Sequence, residues 1–166
     1  MYDRQAAVEY AREWAFKRNP QFYDFEDIGG DCTNFVSQCL YAGSGVMNYT
    51  PVYGWYFISP DDRSASWSGV QFLYDFLTSN SGAGPYGVEL PLFLAQIGDV
   101  IQLSFDGESF THTVIITRIL LFPTPSSILI AAHSNDALDR PLNTYNYKAV
   151  RLIHIAGARN NQEEQT

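Results

Sequence analysis

The hydrophobic periodicity of this chain changes once, near residue 86, and that change limits the folds open to it. Before this point, apolar residues at helical spacing predict helices at residues 2–18, after Asp31 and at 66–79. Helices first and strands later predict an α+β fold, with N-terminal helices packed on an antiparallel β-sheet. The strands are predicted from short or alternating apolar runs at residues 88–92, 99–105, 111–121, 127–133 and 149–155.

Composition limits the class of protein and its partners. The 166 residues are 46% hydrophobic and 15% aromatic, which is enough for one packed domain, expected at residues 1–157, followed by a polar flexible tail at 158–166. A net charge of -8 opposes binding to nucleic acid. No apolar run approaches the roughly 20 residues that span a bilayer, so we expect no membrane partner. The amphipathic first segment predicts no signal peptide, and localisation, including export to a cell wall, stays open.

The sequence Gly-Gly-Asp-Cys-Thr-Asn-Phe-Val-Ser-Gln-Cys-Leu at residues 29–40 is the chain's most specific motif. Asp31 is predicted to cap a helix that stops at Gly43, which puts Cys32 at the first helical position. Free backbone N–H groups there favour a thiolate, so we interpret Cys32 as a nucleophile that titrates below Cys39. Cys39 lies on the apolar stripe and is interpreted as a core residue.

Spacing also argues against other uses of the two cysteines. Seven residues of helix separate their Cα atoms by about 10.5 Å. A disulfide needs Cα atoms within about 7 Å, so both thiols are expected to be free. Two cysteines without metal-type histidine spacing do not form a zinc site, and we expect no metal or cofactor.

A cysteine nucleophile needs a base, and the chain has three histidines. His112 opens a predicted strand and His133 closes the next one. In an antiparallel pair, the start of one strand lies beside the end of the other. We therefore predict that His112 and His133 are adjacent as base and orienter, and that His154 is structural.

Residues 29–40 closely resemble the signature of the bacterial family described as the "putative amidase domain", which is related to the NlpC-like and CHAP-like cysteine peptidases of the papain-like fold. Residues 2–8 resemble its opening helix and Ser66-Trp67 its Ser/Trp element. Residues 96–101 resemble the Gly-Asp-hydrophobic strand that precedes the catalytic histidine in NlpC-like enzymes.

The resemblance implies a papain-like fold and hydrolysis of an amide bond through an acyl-enzyme, with a cell-wall-type peptide as one candidate substrate. It makes Cys32 the nucleophile, His112 the general base and His133 the third, polar residue. Asn135 and Asp136 are alternatives for that third position, because the connection before it is longer than in the relatives. The candidates for the substrate groove are Tyr23, Asp31, Trp55 and Tyr56.

Two other functions fit the same residues. An acyltransferase or transpeptidase would use the same Cys-His pair with an amine acceptor. A non-catalytic domain would bind a peptide in an aromatic groove. The intact nucleophile and base favour an enzyme, since binding alone needs no activated thiol.

Overall fold

The computed structural model describes residues 1–160, in which helices come first and most strands follow. This confirms the predicted α+β class. The helices are α1 (Arg4–Trp14), α2 (Cys32–Ser44), α3 (Ala65–Ser68) and α4 (Val70–Ser79). The strands are β1 (Phe57–Ser59), β2 (Asp62–Arg63), β3 (Gly84–Leu90), β4 (Val100–Ser104), β5 (His112–Ile119), β6 (Ile128–Ala132), β7 (Ala137–Pro141) and β8 (Ala149–Arg159).

Six of the strands form one antiparallel sheet in the order β3-β8-β4-β5-β6-β7, and β1 and β2 form a separate hairpin. Side chains alternate between the two faces of a strand, so the sheet has two cores. Ile115 and Ala131 belong to the core shared with the helices. Val114 and Ile116 belong to a second core on the opposite face, closed by residues from the connecting segments.

Helix α2 is the central helix, and ten of its 13 residues are buried. It is longer than predicted, because Gly43 lies inside it rather than ending it. A Cβ atom at Gly43 would lie 2.6 Å from Cε1 of Tyr2, so glycine there allows close helix packing. The helix ends at Gly45, which has a φ of +73° and donates its N–H to the Tyr41 carbonyl.

Several other elements differ from the sequence expectations: α1 ends at Trp14 rather than near residue 18, and the hairpin of β1 and β2 was not predicted. The predicted helix at 66–79 is split into α3 and α4, because Gly69 adopts an extended conformation. Strand β7 was not predicted. Strand β8 runs to Arg159, and Ala158 is buried opposite Pro85, so residues 158 and 159 belong to the sheet and not to the predicted tail. Residues 161–166 of that tail lie outside the described part of the chain.

Candidate active site

Cys32 occupies the first position of α2, where its thiol is nearly buried, at 8% exposure. Burial raises the pKa of this thiol, and hydrogen bonds with the Thr113 backbone and with Thr33 partly offset that rise. Burial raises the pKa of Cys39 much further. The order of the two pKa values agrees with the expectation that Cys32 titrates below Cys39, but at Cys32 burial opposes the stabilisation expected from the helix N-terminus and raises the pKa. Both thiols are free, as expected.

His112 is the first residue of β5, and the start of that strand lies against the first turn of α2. Thr113, the next residue, contacts the Cys32 thiol through its backbone and hydrogen-bonds Thr33 through its hydroxyl, at 2.9 Å. Burial lowers the pKa of His112 to about 4, and the charge of Arg140 adds to that effect. The imidazole is therefore neutral at neutral pH, which is the form that accepts a proton.

His133 does not make the hydrogen bond to His112 that we expected. Its Nδ1 lies 2.5 Å from a carboxylate oxygen of Asp31, and its Nε2 lies 2.8 Å from the carbonyl oxygen of Trp14. The ring also stacks on Phe35, with 3.9 Å between centroids. Both ring nitrogens therefore have partners in α1 and in the loop before α2, away from the His112 ring.

Strand alternation explains this difference. Ile115 pairs with Ala131 across β5 and β6, and both side chains face the helices. Counting by twos puts His133 on that face, where its contacts are found, and puts His112 on the other face with Val114. The ends of the two strands are adjacent as predicted, but the two side chains point to opposite sides of the sheet.

Asp31 is a buried anchor of the loop before α2. One carboxylate oxygen accepts hydrogen bonds from the Phe25 N–H and from the Asn34 amide, at 2.8 and 2.7 Å. Arg18 approaches the other oxygen at 3.6 Å. The side chain makes no capping bond to α2 and has no exposed surface, so the expectation that Asp31 lines a substrate groove is wrong.

The three aromatic candidates for the substrate groove differ in their exposure to solvent. Trp55 is fully buried and donates its indole N–H to Ser37, so its assignment to a groove is wrong. Tyr23 is 40% exposed and Tyr56 is half-buried, with its hydroxyl on Asp62. Neither tyrosine lines the cavity at His112.

That cavity has a volume of about 340 Å³ and lies at the ends of β4, β5 and β6. Asn135 lines it, whereas Asp136 pairs with Arg18 at 2.9 Å. Of the three candidates for the third position, only Asn135 therefore shares a cavity with His112.

Arg140 and Tyr145 were missed, because no sequence motif marks them and because β7, which carries Arg140 and leads to Tyr145, was not predicted. The lining residues are Phe105, Thr111, His112, Ser134, Asn135, Arg140 and Tyr145.

Comparison with known proteins supplies the family. Residues 1–156 match the profile of the family described as "Putative amidase domain". The chain belongs to this family. It is also 40% identical over 119 residues to a Bacillus subtilis (strain 168) protein named "Uncharacterized protein YhbB", a match covering 69% of this chain and 37% of that relative. No solved structure matches the chain.

The name of the family points to amide hydrolysis in general terms, without a substrate. Within the described residues of this amidase-family domain, no group of three or more His, Cys, Asp or Glu side chains is arranged to hold a metal ion. The helices found between residues 1 and 160 are too short or too polar to cross a bilayer.

Proposed function

We propose that this domain is a cysteine-dependent amidase or peptidase of papain-like, NlpC-like type, with Cys32 as nucleophile and His112 as general base. The observation that carries the proposal is the contact between the Cys32 thiol and the backbone of Thr113, the residue directly after His112. A nucleophile at a helix N-terminus and a neutral histidine thus occupy adjoining elements. His112 lines the cavity, and Tyr145, whose ring lies 5.6 Å from that of His112, is close enough to Cys32 for the charge of the thiolate to raise the pKa of its hydroxyl.

In the proposed reaction, the neutral His112 imidazole takes the thiol proton as the Cys32 sulfur attacks the amide carbon. A C–S bond forms and the carbonyl π electrons move to oxygen, where the Cys32 backbone N–H is positioned to donate. The C–N bond then breaks, and protonated His112 gives its proton to the leaving amine. Water hydrolyses the thioester and restores the thiol.

Asn135 replaces His133 in this proposal as the residue that orients His112. Asn135 lines the same cavity as the imidazole, and an amide oxygen can accept a ring N–H. His133 keeps a structural role instead, because its nitrogens are bonded to Asp31 and Trp14.

A cysteine-directed peptide electrophile, followed by peptide mapping, tests the nucleophile and the base. We expect the label on Cys32 in the wild type and in Cys39→Ala, and no label in Cys32→Ala. His112→Ala should slow labelling about 100-fold or more, as loss of a general base does, with an unchanged circular dichroism spectrum. Labelling of Cys39 instead, or an unchanged rate in His112→Ala, would contradict the proposal.

The products distinguish the remaining alternatives. Amide substrates incubated with and without an added amine should give the free acid in both cases if the domain is a hydrolase. Transfer to the added amine would indicate an acyltransferase that uses the same Cys-His pair. Binding of peptide without either product would indicate the non-catalytic domain.

A further inference from the structure

The cavity at His112 has a cation in its wall. Among its lining residues, Arg140 alone carries a formal charge at neutral pH. The chain as a whole has a net charge of -8, so a cation facing a cavity runs against the general balance. Across residues 1–160, no carboxylate lies within ion-pair distance of Arg140, whereas Arg4, Arg12 and Arg18 each pair with an aspartate.

The acidic residues nearest to Arg140 in sequence are already paired elsewhere. Asp136 lies 2.9 Å from Arg18 and Asp139 lies 2.8 Å from Arg12. Their partners belong to α1 and to the segment after it. The charge of Arg140 therefore has no neutralising group in its own strand or turn.

The Arg140 side chain is held in place. Its Nε donates to the Thr144 hydroxyl at 2.7 Å, and Nη2 donates to the Thr144 carbonyl at 3.2 Å. Its guanidinium carbon lies 3.6 Å from the centroid of the Tyr145 ring. A guanidinium fixed in this way loses little further freedom when it binds a carboxylate.

Tyr145 adds an independent observation. Its hydroxyl oxygen is buried, and no acceptor for the hydroxyl proton is found within the described residues. Arg140 cannot serve, since a guanidinium only donates. Burial raises the pKa of Tyr145, so the proton stays on the oxygen. The ring lies 5.6 Å from that of His112, between centroids, so Tyr145 borders the proposed reaction centre.

We propose that this cavity binds a carboxylate of the substrate, with the Arg140 guanidinium and the Tyr145 hydroxyl as its two donors. An anionic acceptor would satisfy the unpaired cation and the buried hydroxyl together. The domain then selects peptides in which a carboxylate lies next to the amide that is cleaved. This specificity rests on the proposed function, whereas the binding of a carboxylate does not.

A binding experiment tests the carboxylate site independently of catalysis. Glutarate and its neutral counterpart glutaramide are titrated into Cys32→Ala protein, which lacks the proposed nucleophile, and amide shifts of Thr111, Asn135 and Tyr145 are followed by NMR. We expect saturable shifts with glutarate and none with glutaramide. Equal binding of the two compounds, or no binding of glutarate, would overturn the proposal.

Variants identify the two donors. Arg140→Gln and Tyr145→Phe should each weaken glutarate binding about tenfold or more, as expected for a lost hydrogen bond to a charged group. Arg140→Lys should restore part of the affinity, since it keeps the charge but not the planar fork. Arg118→Gln, the same charge change at an exposed position outside the cavity, should have no effect. Unchanged affinity in Arg140→Gln would refute the assignment.

Turnover separates this proposal from the proposed function. Peptide pairs with Glu or Gln on either side of the cleaved amide should show a preference for the acid, lost in Arg140→Gln. If Cys32→Ala abolishes turnover but the preference survives in Arg140→Gln, the carboxylate site is wrong and the cysteine mechanism stands. If glutarate binds as expected but Cys32→Ala keeps full turnover, the mechanism is wrong and the site stands.

Discussion

At the scale of single residues, the neutral state of His112 is coupled to folding. The ring is 8% exposed and lies near the fixed charge of Arg140, and both effects disfavour a second proton. The unfolded chain has neither constraint, so its histidine titrates near its ordinary value, about 6.5. Between about pH 4 and pH 6.5, the imidazole of His112 is therefore neutral in the folded protein, although it would be protonated in the unfolded chain.

This coupling predicts a specific loss of stability in acid. As the pH falls below about 6.5, the unfolded state binds a proton before the folded state does, and the free energy of unfolding decreases until the pH reaches about 4. Between pH 7.5 and 4.5, His112 should account for about 2 to 3 kcal/mol of this decrease.

Urea unfolding of the wild type and of His112→Gln at the two pH values measures the effect. The glutamine variant should lack this part of the pH dependence, so the stability difference between the two proteins should change with pH. The same slope of stability against pH in both proteins would mean that His112 is not desolvated as described.

At the scale of elements, periodicity located most helices and strands but not their ends or their turns. Strand β7 was missed because the turn before it, through Ser134 and Asn135, has positive φ at both residues without a glycine to mark it. Its half-buried residues also lack a clear apolar alternation. The same limit applies to the site. The Cys32 motif could be found because it is local in sequence. Arg140 and Tyr145 could not be found, because they reach the cavity only through β7 and the segment after it.

The end of α2 provides a prediction at this scale. Gly43→Ala should cost the most stability, because its Cβ would meet the Tyr2 ring at 2.6 Å and the Asp3 carbonyl oxygen at 2.8 Å. Gly45→Ala should cost about 1 to 2 kcal/mol, since only the left-handed backbone is strained there. Gly45→Asn should cost less, because asparagine tolerates this conformation.

Thermal and urea unfolding of the three variants would establish their order. If Gly43→Ala were the mildest, the close contact of Gly43 with Tyr2 and Asp3 would be wrong.

At the scale of the whole molecule, Asp99 connects the first helix to the middle of the sheet. Its carboxylate is fully buried and accepts from Arg4 at 2.7 Å, from the Ile155 N–H at 3.0 Å and from His154 at 3.0 Å. Arg4 also donates to the carbonyl oxygens of Ile97 and Ile155. These contacts join α1, the start of β4 and β8, and they give His154 the structural role expected for it.

Removing Arg4 should therefore destabilise the whole domain. Arg4→Gln leaves the buried Asp99 carboxylate without its cation, and we expect a loss of about 3 kcal/mol in the free energy of unfolding. Arg12→Gln is the matched control, because its pair with Asp139 is partly exposed on both sides and should contribute less than about 1 kcal/mol. Equal losses in the two variants, measured by urea unfolding, would show that Asp99 is not the buried hub described.

The turn between β6 and β7 has a consequence for how the family can diverge. Ser134 accepts the Asp31 N–H at 3.1 Å, beside the nucleophile, while its neighbour Asn135 forms part of the cavity wall. An insertion or deletion in this turn would displace both residues together, so a change suited to a new substrate would disturb the loop that carries Cys32. We expect relatives with different substrates to keep the length of this turn and to vary instead at Phe105 and Thr111, which line the cavity from other segments.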